Sequence, residues 1–347
     1  HVPFLNSLSN NVVSCIVEDN KYNLWIGTSD GGLNYYDNAS QLYKNYLFNS
    51  GNLDVPFKDI KTVYVDEVQD RIYVGAHAGG MMVLHRKSGY IEYYNRHNSN
   101  LPSNNIYSII SDGYGGLWVA SLEYLLHFDI DKRNFTIVDV DEDGHKLQQY
   151  NRLLFCDSKK RIWAGGEMGI SVFNQVGTSL LPNTDFQIAS VLKQAFVNCF
   201  YETSSGYLWI GTRNGLFALK ESDKQFLQYT TENGLPSNVI YGILEDAYGR
   251  LWISTNQGLS CLNPESGKFR NFTIMDGLQG NQFNAGAYCR KDNGYMLFGG
   301  VNGITSFRPE TLIDNPYAPK PVINKLFVHN KEVLPDDETG ILKESIT

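Results

Sequence analysis

A short apolar segment recurs seven times along this chain and constrains its fold more than any other feature. Leu24 to Gly27 and Leu208 to Gly211 are two copies: an apolar residue, an aromatic residue, another apolar residue and glycine. The second residues of the seven copies are Trp25, Tyr73, Trp118, Trp163, Trp209, Trp252 and Leu297. They are 43 to 48 residues apart, and periods of about 20 to 50 residues indicate solenoids, propellers or similar arrays.

Turn residues flank the segment in most copies. An aspartate precedes the second residue by six or seven positions in five copies: Asp19, Asp66, Asp112, Asp157 and Asp246. A glycine follows it by six or seven positions in six copies, and only the third copy departs, with Tyr124 in that place. Each unit is therefore predicted to contain four strands, since four strands of about six residues and four loops of about five match the period. This is the pattern of a propeller blade, and it predicts an all-β, seven-bladed β-propeller with four-stranded blades over residues 1–310.

The apolar run before each aspartate turn is predicted to be the innermost strand of its blade. Aligning the copies puts these residues in one column: Cys15, Thr62, Ser108, Leu153, Cys199, Gly242 and Ala287. Six of the seven are small, as expected where strands converge on an axis. The tryptophan column is then predicted to pack between adjacent blades.

The last unit leaves through Pro309 without an aromatic fourth strand. We expect residues before Leu8 to supply the missing outer strand of the seventh blade, because closed folds remove unpaired sheet edges.

Composition argues against several classes of function. The net charge is −8, from 29 Lys and Arg against 37 Asp and Glu, which disfavours binding to nucleic acid. The five cysteines are in no Cys-x-x-Cys spacing and lie in apolar runs, so we expect buried thiols. The zinc-protease, P-loop and nucleophile-elbow motifs are all absent. We therefore expect no catalytic residues, and a carbohydrate-active propeller enzyme is the least favoured alternative.

The units closely resemble the two-component regulator propeller repeat. The sixth copy carries the resemblance in Leu235 to Ile240, Asp246, Gly249 to Ile253, and Gly258. The resemblance covers residues 8 to 308. The segment Ala318 to Val333 in turn resembles the opening strands of the tyrosine-named immunoglobulin-like domain that follows such propellers. Residues 311–347 are thus expected to be a linker and the first strands of an incomplete immunoglobulin-like domain.

This resemblance implies a sensor chain. Its members are often hybrid two-component systems with two propellers and an immunoglobulin-like domain in the periplasm, a membrane helix and a cytoplasmic histidine kinase. The chain then resembles the second propeller of the periplasmic region of an inner-membrane protein. The implied partners are the preceding propeller, the immunoglobulin-like domain and a dimer mate of the parent chain. No phosphoacceptor or nucleotide-binding motif of the kinase occurs here.

One acidic segment has the spacing of a calcium loop. Asp139, Asp141 and Asp143 occupy positions 1, 3 and 5, and Gly144 is at position 6. Position 12 is Tyr150 where a bidentate glutamate is required, so an acidic connection between blades is the simpler interpretation. We keep calcium as the only cofactor hypothesis.

The implied function is recognition of carbohydrate breakdown products, without a catalytic step. A scaffold that packs against a neighbouring propeller and a dimer mate, with no ligand site of its own, is the alternative. The candidate ligand or partner face consists of the loops after the aromatic segments and the starts of the inner strands, where sequence varies on a constant frame. Its residues are Lys61, His77, Tyr107, Glu123, Tyr124, Arg152, Glu167, Arg213, Asn214, Tyr241, Asn256 and Gln257. The three cations among them, Lys61, Arg152 and Arg213, are suited to an acidic sugar.

Overall fold

In the computed structural model the seven units form seven antiparallel sheets, which we number blades 1 to 7 in chain order. The structure describes residues 6–46, 57–121, 123–138, 151–220, 225–312 and 325–333. Within these ranges blades 1 to 6 have four strands each and blade 7 has three. The predicted all-β, seven-bladed propeller is confirmed.

The strands follow one another from the inside of each blade to its outside. Blade 1 contains β1 (Val13–Glu18), β2 (Leu24–Thr28), β3 (Gly32–Asp37) and β4 (Leu42–Tyr46), and blade 2 contains β5 (Ile60–Asp66), β6 (Arg71–Ala76), β7 (Gly80–His85) and β8 (Ile91–Tyr94). Blade 3 contains β9 (Ile106–Ser111), β10 (Leu117–Ser121), β11 (Leu125–Asp129) and β12 (Asn134–Ile137), and blade 4 contains β13 (Asn151–Cys156), β14 (Arg161–Gly166), β15 (Gly169–Val176) and β16 (Ser179–Pro182). Blade 5 contains β17 (Val197–Glu202), β18 (Tyr207–Thr212), β19 (Gly215–Lys220) and β20 (Gln225–Tyr229), and blade 6 contains β21 (Ile240–Glu245), β22 (Leu251–Thr255), β23 (Gly258–Asn263) and β24 (Lys268–Phe272). Blade 7 contains β25 (Phe283–Arg290), β26 (Met296–Gly300) and β27 (Gly303–Phe307).

Helix is scarce in the described residues. The α-helix α1 (Gln187–Val191) has five residues, and three 3-10 turns of three residues each cover Thr231–Asn233, Ile274–Asp276 and Pro309–Thr311. No helix in that part of the chain is long and apolar enough to cross a bilayer.

The aspartate turns fix the tryptophans of the second strands. One carboxylate oxygen of Asp157 accepts from the backbone N–H groups of Lys159 and Arg161, and the other accepts from the indole Nε1–H of Trp163 at 2.9 Å. Asp246 does the same in blade 6, where Trp252 Nε1–H donates to it at 3.0 Å. In blades 1, 4 and 6 the aspartate therefore closes the turn and orients the tryptophan that follows six residues later. In blade 3 Asp112 contacts His127 instead, and the Trp118 indole has no acceptor among the described residues.

The core consists of seven buried clusters, one at each interface between neighbouring blades. Each tryptophan lies in such an interface and is no more than 3% exposed. Trp118, for example, packs with Leu154 and Ile162 of blade 4, and Trp209 packs with Ile240 and Ile253 of blade 6. The predicted packing of the tryptophans between blades is confirmed.

Small residues are required where the first two strands of a blade meet the next blade. A Cβ added to Gly27 would lie 2.5 Å from Cys15 Sγ and 2.6 Å from Ile60 Cγ2. Ile60 belongs to the inner strand of blade 2, so the neighbouring blade fills the space above this glycine. The same relation recurs at Gly75, whose Cβ would lie 2.5 Å from Ile106 of blade 3. In the small-residue column of the inner strands, a Cβ added to Gly242 would lie 2.3 Å from Tyr288 of blade 7, so close approach of the blades restricts residue size there as well.

The ring closes between blade 7 and blade 1. Val13, Ile16 and Ile26 of blade 1 form one buried cluster with Ala287 and Leu297 of blade 7. The Nδ2 of Asn284 donates to the Val13 carbonyl at 2.8 Å, and the Gly303 N–H donates to the Asn11 carbonyl at 2.7 Å.

The predicted outer strand of blade 7 is not formed by the described N-terminal residues. Residues 6 to 12 contain no strand, and Asn6 instead bonds Gln41 and Tyr43 of blade 1. Residues 1–5, on which the rest of that prediction falls, lie outside the described residues.

The chain divides into two compact units, His1–Pro309 and Glu310–Thr347. In the second unit the structure describes a hairpin of β28 (Leu326–Val328) and β29 (Lys331–Val333). Its two loop residues, His329 and Asn330, have positive φ angles of 50° and 60°, as a type I′ hairpin turn requires. The assignment of residues 311–347 to an incomplete immunoglobulin-like domain stays a prediction.

Candidate ligand site at the mouth of the propeller axis

Every inner strand begins with a β-bulge. In blades 1 to 6 the inner strand has one extra residue between two residues whose partners are adjacent on the second strand. In blade 1, for example, Val13 pairs with Thr28 and Cys15 pairs with Gly27, so Ser14 is the extra residue. In blade 7 Phe283 pairs with Gly300 and Tyr288 pairs with Phe298, so the inner strand has three extra residues in this stretch. The extra residue of a bulge leaves the hydrogen-bond ladder and its side chain is re-aimed.

The extra residues of all seven blades converge on one cavity of 330 Å³ at this end of the axis. They are Ser14, Lys61, Tyr107, Arg152, Asn198, Tyr241 and the segment Asn284 to Gly286. Arg213 and Phe196 complete much of the wall. The cavity is within the usual size range of small-molecule sites, which is about 300 to 1,000 Å³.

Three of the bulge side chains hold the ring together. The Oγ of Ser14 donates to the Ile60 carbonyl, the Nδ2 of Asn198 donates to the Ile240 carbonyl, and Asn284 makes the corresponding bond to Val13. In each case the acceptor belongs to the next blade and directly precedes that blade's own bulge residue. These three residues are structural parts of the mouth.

The other four bulge residues present functional groups to the cavity. The Lys61 ammonium pairs with Asp59 at 2.9 Å, and the Arg152 guanidinium pairs with Glu167. Arg152 also lies over the ring of Tyr107, with its Cζ 4.9 Å from the ring centroid. Burial raises the pKa of the Tyr107 phenol, and the charge of Arg152 opposes that rise.

Arg213 is the cation best placed to bind an anion. Its Cζ lies 3.7 Å from the ring centroid of Phe196, so the guanidinium is held flat on an aromatic face. The side chain is exposed and has no carboxylate partner among the described residues. None of the described residues that line the cavity is an aspartate or a glutamate. Lys61 and Arg152 are paired with Asp59 and Glu167, so Arg213 gives the mouth its positive local charge in a protein whose net charge is −8.

Five of the twelve candidate residues lie together in this cavity: Lys61, Tyr107, Arg152, Arg213 and Tyr241. Two more lie at its edge through ion pairs, because Glu167 contacts Arg152 and the His77 ring lies 4.0 Å from the Asp59 carboxylate. The structure does not bring the remaining five into the cavity wall: Glu123, Tyr124, Asn214, Asn256 and Gln257. Tyr124 is half-buried against the core between blades 2 and 3, so its body fills space in the interface.

Sequence reasoning missed Ser14, Asn198, Asn284 and Phe196. Ser14 and Asn198 each directly precede a member of the small-residue column, as Lys61 and Arg152 do. The residues one position before each member of the small-residue column were thus the sequence signal that could have predicted the cavity lining. Asn284 breaks that rule because blade 7 has three extra residues rather than one.

The calcium hypothesis is not tested. Asp139, Asp141 and Asp143 lie outside the described residues. Within the described ranges no group of three or more His, Cys, Asp or Glu side chains is arranged to hold a metal ion.

Comparison with known proteins supports the repeat assignment. The family model described as the two component regulator propeller matches residues 7–30, 100–123, 192–214 and 234–257. A curated relative, histidine kinase P4 of Formosa agariphila, is 25% identical over 354 residues. That alignment covers 98% of this chain and 25% of the relative, so this chain spans about a quarter of that protein.

Solved structures share the fold. The extracellular domain of a putative hybrid two component system from B. thetaiotaomicron aligns with a TM-score of 0.72 and 22% identity, over 96% of this chain and 45% of that one. Virginiamycin B lyase from Staphylococcus aureus aligns with a TM-score of 0.63 and 14% identity, over 87% and 96%. Each of the four segments that match the family model begins before an inner strand and extends through the second strand into the turn that follows it. The chain is therefore a seven-bladed propeller, and four of its segments match the two-component regulator propeller repeat.

Proposed function

We propose that this chain is the ligand-recognition propeller of a sensor in a hybrid two-component system, and that it binds its ligand at the mouth of the propeller axis. The observation that carries the proposal is the convergence of all seven bulges on one cavity, with the Arg213 guanidinium held on Phe196 and without a carboxylate partner. The relative named as a histidine kinase and the extracellular location of the similar B. thetaiotaomicron domain support a sensor role outside the cytoplasm.

The ligand class follows from the chemistry of the mouth. Tyrosine rings stack on sugar faces, and serine, asparagine and tyrosine side chains hydrogen-bond hydroxyl groups. Lys61, Arg152 and Arg213 line the cavity, and of these Arg213 has no carboxylate partner among the described residues. A carbohydrate breakdown product that carries a carboxylate or sulfate group fits this combination best. The chain supplies recognition in this proposal, and signalling belongs to the periplasmic dimer of the parent protein.

Calorimetry with matched sugars tests the proposal. We expect oligosaccharides that contain uronate or sulfate groups to bind more tightly than neutral ones of the same length. Arg213→Ala should weaken that binding by about 10- to 100-fold, because one charge-assisted hydrogen bond contributes about 1.5 to 3 kcal/mol. Lys132→Ala is the control, since Lys132 is a highly exposed cation that pairs with Asp129 at the edge of blade 3.

Two results would contradict the axial site. If Arg213→Ala and Lys132→Ala bind the sugar equally well, the ligand does not contact the mouth. If neither acidic nor neutral sugars bind, while Arg213→Ala disturbs dimerisation of the intact parent region, the scaffold alternative is favoured.

A further inference from the structure

A second cavity lies at the opposite end of the blades, where the turns between first and second strands meet the next blade. Such a space, which we call a wedge, contains the tryptophan of one blade and the turn residues of the next. The wedge between blades 1 and 2 is filled by Arg86. Its guanidinium lies 3.5 Å from Asp19 and also pairs with Glu67 and Asp70. The Trp25 indole N–H donates to Asp19 in the same place.

The wedge between blades 5 and 6 is bounded by equivalent elements, but different residues occupy three of its positions. Thr203 stands six residues before Trp209, where Asp19 stands before Trp25. Ala218 is the cross-strand partner of Trp209, whereas Tyr35 is the partner of Trp25. Pro264 directly follows the third strand of blade 6, as Arg86 follows that of blade 2. A cavity of 380 Å³ occupies this wedge, and Thr203, Ala218 and Pro264 all line it.

The aromatic frame of the two wedges is nearly the same. Trp25 and Tyr46 stack with centroids 5.9 Å apart and planes at 29°. Trp209 and Tyr229 stack with centroids 5.9 Å apart and planes at 28°. The two wedges therefore have the same arrangement of aromatic rings, and they differ in the side chains between those rings.

Two polar groups in this wedge lack the partners that the equivalent groups have in the wedge between blades 1 and 2, where Trp25 donates to Asp19 and Glu67 pairs with Arg86. The indole N–H of Trp209 is buried, with the side chain 3% exposed, and it has no hydrogen-bond acceptor among the described residues. Glu245 lines the cavity, is 7% exposed and accepts from the N–H and Oγ of Ser204. No lysine or arginine pairs with its carboxylate among the described residues, and Arg290 donates to its backbone carbonyl. A buried donor without an acceptor is costly. The Glu245 carboxylate is hydrogen-bonded to Ser204, but it has no opposite charge beside it among the described residues.

Neighbouring wedges fill the same need internally. Arg161 pairs with Asp157 at 2.6 Å and lies over Trp163, and Arg250 pairs with Asp246 at 2.7 Å and lies over Trp252. In blade 5 the equivalent position is Tyr207, two residues before Trp209. None of the described residues that line the cavity is a lysine or an arginine. The missing pair is thus a carboxylate beside a guanidinium.

We propose that the wedge between blades 5 and 6 binds a small zwitterion that carries a guanidinium group beside a carboxylate. The guanidinium lies against Glu245 and the aromatic rings, and the carboxylate accepts from Trp209. This site is separate from the axial mouth and does not depend on the function proposed for it.

Guanidinoacetate is the probe, and two relatives of it are the matched controls. Hydantoate has the same shape with a neutral urea in place of the guanidinium, and methylguanidinium lacks the carboxylate. In protein labelled with ¹⁵N-tryptophan, millimolar guanidinoacetate should shift the Trp209 indole resonance, which Trp209→Phe identifies, and leave the other four in place. Neither control compound should shift it to the same extent. An unmoved Trp209 resonance, or an equal response to hydantoate, would overturn the proposal.

Two substitutions test the residues. Glu245→Gln should weaken binding of guanidinoacetate at least tenfold, whereas Glu202→Gln should not, although Glu202 makes the same contacts to Ser158 in the neighbouring wedge. Thr203→Asp supplies the missing carboxylate from the chain itself, so it should shift the preference of the site towards methylguanidinium. Equal binding by the two glutamine variants would show that Glu245 does not hold the cation. If Glu245→Gln fails to fold, an unchanged preference in Thr203→Asp would count against the site in the same way.

Discussion

At the scale of single residues, the buried tryptophans differ in whether the indole N–H has a hydrogen-bond acceptor among the described residues. Trp252 donates to Asp246, whereas Trp209 has the same packing position and no acceptor in the described residues. Trp252→Phe should therefore lose a hydrogen bond to a charged group, and Trp209→Phe should not. We expect Trp252→Phe to lower the free energy of unfolding by about 1.5 to 3 kcal/mol more than Trp209→Phe does, as measured by urea denaturation. Equal losses in the two variants would mean that the aspartate turn gains no stability from the indole.

The cysteines are a second property of single residues. None of the five is in a disulfide, Cys15, Cys199 and Cys261 are buried, and Cys156 and Cys289 are half-buried. Burial raises the pKa of the Cys261 thiol to about 11 and that of Cys289 to about 11. The folded protein thus favours the neutral thiols, and their contribution to stability is complete below the ordinary thiol pKa of about 9.

Alkaline pH should remove that contribution. We expect the free energy of unfolding to fall between about pH 9 and pH 11, with a smaller slope in Cys261→Ala than in the wild type. Labelling with Ellman's reagent at pH 8 should be slow for the folded chain and fast in urea, because only the thiolate reacts. Rapid labelling of Cys261 in the folded chain at pH 8 would contradict its burial.

At the scale of the structural element, the inner-strand bulge residues divide into those that bond the next blade and those that we propose for ligand recognition. Asn198 is buried and donates to Ile240 of the next blade at 2.8 Å, whereas Tyr241 occupies the equivalent position one blade later and lines the cavity. We expect Asn198→Ala to lower the free energy of unfolding by about 1 to 3 kcal/mol, since the Ile240 carbonyl loses its donor. Tyr241→Ala should change stability less and change ligand affinity more. Thermal denaturation of the two variants, together with calorimetry, separates the roles, and a reversed order would refute the division.

The elements also show what could be predicted from the sequence. Strand order, blade number and the burial of the tryptophans follow from columns of residue types, because packing imposes the same requirement on every copy. A bulge is a property of pairing between two strands, and no residue type marks it here: serine, lysine, tyrosine, arginine and asparagine all occur at the extra position. The convergence of Lys61 and Arg213 could be anticipated from their places in the repeat. Their partners Asp59 and Phe196 lie just before the inner strands of the same blades, outside the repeated columns, so the columns do not predict these contacts.

At the scale of the whole molecule, we expect closure of the ring to make the seven blades unfold as one cooperative unit. Linear repeat arrays can fray from their ends, but here blade 7 packs on blade 1 through a buried cluster that includes Leu297. We expect Leu297→Ala to cost about 2 to 5 kcal/mol and to lower the unfolding temperature of every blade together. Trp fluorescence and far-ultraviolet circular dichroism should therefore report the same single transition. Two separated transitions would indicate that the blades unfold independently of the closure.

The bulge residues have a consequence for how such a protein changes over time. Because each one stands outside the hydrogen-bond ladder, its identity is nearly independent of the pairing that holds its blade together. Positions 61, 107, 152 and 241 can then be exchanged, one at a time or jointly, while the structural positions 14, 198 and 284 keep the ring closed. Under the proposed function, new ligand preferences become accessible through a few substitutions at these positions. A library randomised at those four positions is accordingly a direct route to receptors of altered specificity on an unchanged frame.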